Sequence, residues 1–149
     1  MNVNIKQRPE FKDLGIPQYE TEGSAAVDLR AAIENTKTLN PGESMLIPTG
    51  LFIEIPKGYM LHITPRSGLA LKKSISIVNS PGIIDSDYRG EIGIILINHG
   101  DDAFSIKRGD RIAQASFVAF GKATFNKVDE LSNLNTQRGE GGFGSTGTK

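Results

Sequence analysis

The stretch Ser44-Met-Leu-Ile-Pro-Thr-Gly-Leu-Phe-Ile-Glu-Ile-Pro56 is the part of this 149-residue sequence that decides its fold class. Apolar residues occupy every second position near its end, at Leu51, Ile53 and Ile55, which is the period of a β-strand with one buried face. The residues Pro56-Lys-Gly58 that follow are typical of a turn. We therefore expect a strand over 44–56 that ends in a reversal of the chain.

Three more segments have the composition of strands. Tyr59–Thr64 runs back from the turn, and Arg111–Phe120 is an apolar segment of the same kind. Glu91–Asn98 is apolar on both faces, because Ile95 and Ile97 alternate with three other apolar residues. Burial of both faces predicts a strand inside a closed or an oligomeric core.

Helical segments are almost absent from the sequence. The only candidate, Gly68-Leu-Ala-Leu-Lys-Lys73, is too short for more than one or two turns, so it cannot support a parallel α/β layout. The chain has 17 glycines and short β-branched segments between turn residues, a composition typical of sandwiches and barrels. We predict an all-β fold in one domain, residues 1–135, followed by a mobile glycine-rich tail, residues 136–149.

The composition excludes several classes of function. There is no cysteine, which excludes disulfides, thiolate metal sites and a cysteine nucleophile. His62 and His99 have no acid at zinc-like spacing, so neither a zinc site nor a Ser-His-Asp triad is expected. Lys+Arg and Asp+Glu both number 17, which argues against nucleic-acid binding. No apolar run approaches the ~18 residues of a membrane span, so we expect a cytoplasmic protein without membrane contact.

The densest polar cluster is Asn79–Glu91, directly before the most apolar strand. Asp85 and Asp87 lie two positions apart, so on an extended chain their carboxylates point to the same side. Two carboxylates on one side bind a metal ion or orient a water molecule, or they are solvated side chains of a polar turn. The spacing leaves both interpretations open.

Four other polar residues are candidates for chemistry. Ser67 lies at the start of the helical segment, where unpaired backbone N–H groups favour an anion, and Arg66 adds a forked donor for phosphate oxygens. The alternative for this pair is an ordinary serine cap beside a surface arginine. Asp28, among apolar residues, is a metal contact or an ion-pair partner. Gln114, inside an apolar strand, is a ligand contact or makes a structural hydrogen bond.

The tail contains Gly139-Glu-Gly-Gly-Phe-Gly144, which matches G-x-G-x-x-G. It is not a dinucleotide-binding motif, because that motif needs a preceding strand and a following helix, and the sequence ends shortly after Gly144. Its backbone N–H groups suit phosphate, and Phe143 suits stacking on a ring. The tail either closes over a phosphorylated ring compound or is disordered.

Together and in this order, five segments resemble the five motifs of the homotrimeric deoxyuridine triphosphatase (dUTPase) family. They are Ala25-Ala-Val-Asp-Leu-Arg-Ala31, Pro65-Arg-Ser-Gly-Leu-Ala70, Asn79–Glu91, Arg108-Gly-Asp-Arg-Ile-Ala-Gln114 and Arg138-Gly-Glu-Gly-Gly-Phe-Gly-Ser-Thr-Gly147. The resemblance spans nearly the whole chain, and the third and fifth segments are its most specific parts.

The resemblance implies a jelly-roll-like β-barrel that forms a homotrimer, in which each active site is built from all three chains and closed by a donated C-terminal tail. It also implies hydrolysis of dUTP to dUMP and pyrophosphate, with Mg²⁺ as cofactor and an activated water attacking the α-phosphorus. Such an in-line attack needs a base, charge neutralisation and a good leaving group rather than a protein nucleophile.

The resemblance assigns roles to the matching residues. Asp85 activates the water, Tyr88 packs on the deoxyribose so that a 2′-hydroxyl would clash, and Asp28 supports the Mg²⁺ assembly through water. The residues implied in substrate binding are Arg66, Ser67 and Gly68 in the second segment, Asn79, Gly82, Ile84 and Tyr88 in the third, Gln114 in the fourth, and Arg138, Phe143, Gly144 and Ser145 in the fifth.

Two alternative functions come from other classes. Deoxycytidine triphosphate deaminases share the implied fold, but Asp85-Ser-Asp-Tyr88 and the Phe143 tail match the triphosphatase pattern. A regulatory or protein-binding trimer leaves no motif, so the sequence indicates no further protein partner. The hairpin implied to contact uracil departs from the family pattern at Ser80-Pro81, where an apolar or glycine-rich turn is expected.

Overall fold

The computed structural model describes residues 1–131, 136, 137, 139 and 141, and short strands make up most of its regular structure. The strands are β1 (Asn4–Gln7), β2 (Val27–Arg30), β3 (Lys37–Leu39), β4 (Ser44–Pro48), β5 (Leu51–Glu54), β6 (Tyr59–Thr64), β7 (Ile75–Ile77), β8 (Gly82–Ile84), β9 (Gly93–Asn98), β10 (Phe104–Ile106) and β11 (Arg111–Ala119). One 3₁₀ helix (Pro9–Leu14) and one α-helix, α1 (Ser67–Lys73), accompany them. The predicted all-β fold class is confirmed.

The described strands pair in antiparallel sheets around one core. The sheet orders are β2-β11-β6-β8, β4-β9-β7, β1-β5 and β3-β10. Each sheet contributes side chains to the same hydrophobic cluster, and Leu29 of β2, Leu96 of β9 and Ile106 of β10 are completely buried in it. The arrangement is the expected jelly-roll-like β fold, although the described strand pairs do not close into a single ring.

The stretch 44–56 forms two strands instead of one. β4 pairs with β9, whereas β5 pairs with β1 in another sheet. The chain turns between them at Thr49 and Gly50, and Gly50 has a φ of 70°, which residues with a Cβ rarely adopt. A Cβ on Gly50 would also lie 3.2 Å from the Cβ of Ala32. The expected continuous strand is therefore wrong, because apolar alternation does not reveal where a chain changes sheet.

The other predicted strands are confirmed with small shifts at their ends. β6 covers Tyr59–Thr64 as predicted, β11 ends at Ala119, and β9 begins at Gly93. The turn before β6 is also present, because the amide of Tyr59 donates to the carbonyl oxygen of Pro56 over 3.1 Å.

Among the described residues, α1 is the one α-helix. It begins at Ser67, one residue before the predicted segment, and ends at Lys73 as predicted. Leu69 of α1 is half-buried and packs against the core. Within the part of the chain that is described, no helix is long and apolar enough to cross a membrane.

The outer face of the β4-β9-β7 sheet is open in a single chain. Ile94 and Leu96 of β9 are buried, but Ile95 between them is 37% exposed. Leu46 of β4, which lies opposite Ile95, is 64% exposed. The expectation that β9 is buried on both faces is wrong for one chain, and burial in an oligomeric core stays a prediction.

Candidate active site

The β2-β11-β6-β8 sheet brings three of the polar segments together. Gln114 of β11 lies opposite Asp28 of β2 on one side and opposite Thr64 of β6 on the other. β6 then leads through Pro65 into Arg66, which precedes α1. The register of the sheet therefore places Asp28 and Gln114 in one row with Thr64, and Arg66 lies two residues beyond the end of that row.

The Asp28 carboxylate lies between two guanidinium groups. Its Oδ1 atom accepts a hydrogen bond from Arg66 Nε over 2.7 Å, and its Oδ2 atom accepts one from Arg111 Nη1 over 3.2 Å. The Asp28 side chain is only 17% exposed, and its charge-assisted bond to Arg66 is partly buried, whereas the bond to Arg111 is exposed. Arg66 Nη1 also donates to the Arg111 carbonyl oxygen over 3.3 Å. The ion-pair interpretation of Asp28 is confirmed, and the network fixes the orientation of Arg66.

Gln114 and Ser67 flank Arg66 on the sheet and on the helix. Gln114 Nε2 donates to the carbonyl oxygen of Pro65 over 3.1 Å, which is the structural hydrogen bond considered above. Ser67 is the first residue of α1 and is exposed, while the N-cap residue is Arg66 and makes no side-chain capping bond. The serine-cap alternative is therefore wrong. Gly68 is exposed, with open space around the position of a Cβ.

Asp85 lies in a turn and not on an extended strand end. The amide of Tyr88 donates to the carbonyl oxygen of Asp85 over 3.2 Å, and Arg89 Nη1 donates to that of Ser86 over 2.9 Å. The chain turns here because β8 and β9 belong to different sheets. Asp85 and Asp87 are both exposed at this turn, which agrees with the polar-turn interpretation left open above. Their carboxylates are not placed on one side by strand alternation, because that requires extended backbone.

Tyr88 folds back onto the residues that follow it. Its hydroxyl group donates to the carbonyl oxygen of Glu91 over 3.0 Å, and the residue is 44% exposed. Glu91 is held in turn, because its Oε1 atom accepts the amide of Gly50 over 2.8 Å. The sequence indicates no role for Glu91 or Gly50, because no spacing pattern connects two residues that are 41 positions apart.

The hairpin before this turn is closely packed at Gly82. Gly82 lies opposite Ile63 of β6, and a Cβ on Gly82 would lie 3.3 Å from the Cβ of Ile63. Ile84 is half-buried in β8, and Asn79 is exposed at the start of the hairpin. The peptide bond between Ser80 and Pro81 is cis. Close strand packing is therefore the physical reason for glycine at position 82.

One chain keeps Asp85 and Arg66 apart. Ile84, directly before Asp85, lies opposite Leu61 near the beginning of β6, whereas Arg66 follows the end of β6. Leu61 and Arg66 are separated by about five residues, or roughly 16 Å at ~3.3 Å per residue of extended chain. The water-activating candidate and the phosphate-binding candidates therefore lie at opposite ends of the same strand.

Arg108 of the fourth segment contacts a different part of the chain. Its Nη2 atom donates to Asp13 Oδ1 over 2.6 Å and to the carbonyl oxygen of Glu10 over 2.7 Å. The guanidinium lies 4.6 Å from the centroid of the Phe11 ring, within cation–π distance. The hydrogen bond from Arg108 lowers the pKa of the Asp13 carboxyl below its ordinary value. Arg108 thus anchors the 3₁₀ helix and does not join the row on the sheet.

The remaining candidates belong to the fifth segment. Arg138, Phe143, Gly144 and Ser145 lie outside the described residues. Their roles in binding substrate stay predictions.

Comparison with known protein families matches residues 12–147 to the dUTPase model. This chain belongs to the dUTPase family. A deoxyuridine 5'-triphosphate nucleotidohydrolase from Treponema denticola is 55% identical over 132 residues, covering 89% of this chain and 90% of that protein. The protein of the same name from Brucella melitensis is 54% identical over 149 residues, covering 98% of this chain and 93% of that protein. The one from Rhizobium rhizogenes is 50% identical over 147 residues, covering 97% and 93%.

Solved dUTPase structures have the same fold. The dUTPase of Staphylococcus bacteriophage 80alpha with dUPNHPP matches this chain with a TM-score of 0.86 at 28% identity, covering 98% of both chains. Another structure of that phage dUTPase matches with a TM-score of 0.77 at 25% identity, covering 88% of this chain and 98% of that chain. The jelly-roll-like fold implied by the five segments is confirmed.

Proposed function

We propose that this chain hydrolyses dUTP to dUMP and pyrophosphate. The observation that carries the proposal is the dUTPase match over residues 12–147, together with deoxyuridine 5'-triphosphate nucleotidohydrolases that are 50% to 55% identical over most of the chain. The deoxycytidine triphosphate deaminase alternative is not favoured. The relatives are named deoxyuridine 5'-triphosphate nucleotidohydrolases, and this chain aligns with nearly their whole length.

Asp85 is the proposed base for the attacking water. Its carboxylate is exposed, so water reaches it, while the bond from the Tyr88 amide to the Asp85 carbonyl oxygen limits the motion of the backbone. The water would attack the α-phosphorus in line with the leaving pyrophosphate. Such a reaction depends mainly on positioning and on neutralising charge, and it requires no protein nucleophile.

Arg66, Ser67, Gly68 and Gln114 are the proposed phosphate contacts. Arg66 supports this role best, because Asp28 and the Arg111 carbonyl oxygen hold its guanidinium in one orientation. A planar guanidinium donates paired hydrogen bonds to phosphate oxygens, and fixing it in advance lowers the entropy lost on binding. Ser67 and Gly68 are exposed next to it.

Mg²⁺ is the proposed cofactor, and the donor groups of this chain fit an ion held mainly by the triphosphate. Among the residues that the structure describes, no three acidic or histidine side chains are grouped to hold a metal ion. Both oxygens of Asp28 already accept hydrogen bonds from guanidinium groups, so Asp28 is suited to reach the ion through water. Mg²⁺ keeps several waters when phosphate oxygens bind it, and it would neutralise charge on those oxygens.

Tyr88 and the hairpin before Asp85 are the proposed determinants of sugar and base specificity. The Tyr88 ring is partly exposed and held at its hydroxyl end, so it can present a fixed surface to the deoxyribose. A ribose would add a 2′-hydroxyl in the space next to that surface. Asn79, Gly82 and Ile84 are proposed to bind the uracil edge, since they form the neighbouring strand and turn.

We also propose that the active site is shared in a homotrimer. Asp85 and Arg66 lie at opposite ends of β6 in one chain, so a site that uses both takes them from different chains. The tail, residues 136–149, would leave the domain formed by residues 1–135 and close the site of another chain. Within the tail, Phe143 would lie over the uracil, and Arg138, Gly144 and Ser145 would hold the outer phosphates. The proposed location is the cytoplasm.

Pyrophosphate release from dUTP, dCTP, dTTP and UTP, each with and without Mg²⁺, tests the proposed function. We expect rapid release from dUTP that depends on Mg²⁺ and slow release from the other three nucleotides. Comparable kcat/KM values for dUTP and UTP would contradict the proposal. Ammonia release from dCTP would instead indicate a deaminase.

A further inference from the structure

Gly90 lies between Tyr88 and Glu91, and its surroundings leave no room for a side chain. Its φ lies outside the left-handed region, so the backbone itself does not require glycine. A Cβ at this position would overlap the hydroxyl end of Tyr88 and lie 2.9 Å from its Cε2 atom. We propose that Gly90 is a positioning residue that sets where the Tyr88 ring lies and thereby determines the preference for deoxyribose. This inference rests on the proposed function, in which Tyr88 excludes a 2′-hydroxyl.

The place of the Tyr88 ring is defined from two directions. The Tyr88 hydroxyl group donates to the Glu91 carbonyl oxygen over 3.0 Å, so the far end of the ring is tied to the chain just beyond Gly90. Glu91 is itself fixed, because its carboxylate accepts the Gly50 amide over 2.8 Å and lies 3.7 Å from Arg8 Nη1. The absence of a side chain at position 90 lets the ring lie against this fixed backbone.

A methyl group at position 90 would move the ring without unfolding the chain. The overlapped atoms belong to the far end of a side chain that is 44% exposed, so Tyr88 can swing away at low cost. Tyr88 is not a member of the hydrophobic core. The bond that holds the Asp85 turn uses the Tyr88 amide and not its ring, so the proposed base keeps its position. Selectivity should therefore change while stability does not.

Gly90→Ala provides the test, with Gly121→Ala as the control for a glycine-to-alanine change. Gly121 is exposed, has open space around the position of a Cβ and is not one of the residues proposed for the site. For Gly90→Ala we expect the dUTP/UTP ratio of kcat/KM to fall by roughly tenfold or more, with an unchanged Tm. For Gly121→Ala we expect an unchanged ratio. An unchanged ratio in Gly90→Ala, or an equal change in both variants, would overturn the inference.

A double-mutant cycle separates a positioning role from an independent one. If Gly90 acts only through the ring, the double variant Gly90→Ala/Tyr88→Ala should have the same dUTP/UTP ratio as Tyr88→Ala alone. Additive losses would overturn the inference. If Gly90→Ala alone does not fold, the double variant should fold, because the overlap is removed, and failure of both to fold would also overturn it.

The reference variant Tyr88→Ala distinguishes failure of this inference from failure of the proposed function. If Tyr88→Ala lowers the dUTP/UTP ratio of kcat/KM and Gly90→Ala does not, Tyr88 selects the sugar and Gly90 does not position the Tyr88 ring. If Tyr88→Ala leaves that ratio unchanged, the role proposed for Tyr88 is wrong and the role of Gly90 falls with it. If wild-type protein releases no pyrophosphate from dUTP, the proposed function itself is wrong.

Discussion

At the scale of single residues, Asp28 and Asp85 have carboxylates in opposite environments. Asp28 lies between two guanidinium groups with its side chain 17% exposed, whereas Asp85 is exposed on a turn closed by backbone. A carboxylate whose two oxygens accept hydrogen bonds from two guanidinium groups is suited to orient them. A water-accessible carboxylate on a fixed backbone is suited to accept a proton.

Replacing Asp85 tests its role as the base. Asp85→Asn keeps the size of the side chain and removes the proton acceptor, so we expect kcat to fall by ~10²-fold or more with dUTP affinity largely retained. Steady-state kinetics together with equilibrium binding of a non-hydrolysable dUTP analogue separates the two effects. Asp101→Asn, in an exposed loop after β9, serves as a control with kcat near that of wild type. A kcat within a few-fold of wild type for Asp85→Asn would contradict the assignment.

The proposed phosphate-binding role of Arg66 should depend on the shape of its guanidinium group and not only on its charge. Arg66→Lys keeps the charge but loses both the Nε bond to Asp28 and the Nη1 bond to the Arg111 carbonyl oxygen. We expect kcat/KM for dUTP to fall about tenfold or more. Arg30→Lys is the matched control, because Arg30 Nη1 donates to a single carbonyl oxygen, that of Gly109, over 3.0 Å. Similar losses in both variants would indicate a general effect of charge or stability.

At the scale of elements, the sequence predicted strands well where one strand stays in one sheet. β6 and β11 follow directly from their apolar patterns, and their pairing then places Asp28 opposite Gln114. The break at Gly50 was not predicted, and the turn at Asp85 was only one of two interpretations, because both features arise where the chain passes between sheets. Whether a residue is extended or turned there depends on partners many positions away, which no local pattern contains.

The loop after β9 depends on one buried amide. Asn98 is completely buried, and its side chain donates to the carbonyl oxygens of Leu39 and Asp102 over 2.9 and 2.8 Å and accepts the Gly100 amide over 2.9 Å. Asn98→Leu leaves three backbone groups without these partners, so we expect a loss of roughly 2–4 kcal/mol in the free energy of unfolding.

Urea unfolding measures this loss, and kcat/KM for dUTP should stay near wild type because Asn98 does not contact the proposed site. Asn40→Ala is the control, since Asn40 is exposed and a surface change of this kind costs about 0.5 kcal/mol or less. Equal stability of the Asn98→Leu and Asn40→Ala variants would show that the buried amide does not stabilise the loop.

At the scale of the whole molecule, the domain should determine the stability of the fold, whereas the tail should contribute to catalysis. The described hydrophobic core is complete by Ala115, so deleting residues from Arg138 onward removes none of it. We expect the truncated protein to keep its Tm and oligomeric state while kcat/KM for dUTP falls by orders of magnitude. Phe143→Ala should reproduce part of this loss by removing the stacking surface. A folded truncated protein with near wild-type kcat/KM would contradict the role of the tail.

The assembly itself is testable by mixing two inactive chains. Asp85 and Arg66 lie at opposite ends of β6, so we expect each site to take Asp85 from one chain and Arg66 from another. In trimers formed from equal amounts of Asp85→Asn and Arg66→Ala chains, some sites then combine an intact Asp85 with an intact Arg66. With random assembly, about a quarter of the sites meet this condition.

Co-expression of the two variants with different affinity tags, followed by two-step purification of mixed oligomers, supplies the material. The homo-oligomers of each variant, mixed without exchange of chains, are the control and should remain inactive. Purification removes the homotrimers, and each mixed trimer contains one site in three that combines both intact groups. We therefore expect the mixed oligomers to recover kcat toward about a third of the wild-type value per site, with a wild-type KM in the restored sites. If Asp85 and Arg66 of the same chain formed one site, every site in the mixture would lack one of the two groups. Mixed oligomers that are no more active than their parents would therefore contradict the shared site. That result is expected only if Asp85 and Arg66 of one site come from the same chain, because no mixed arrangement then combines an intact Asp85 with an intact Arg66.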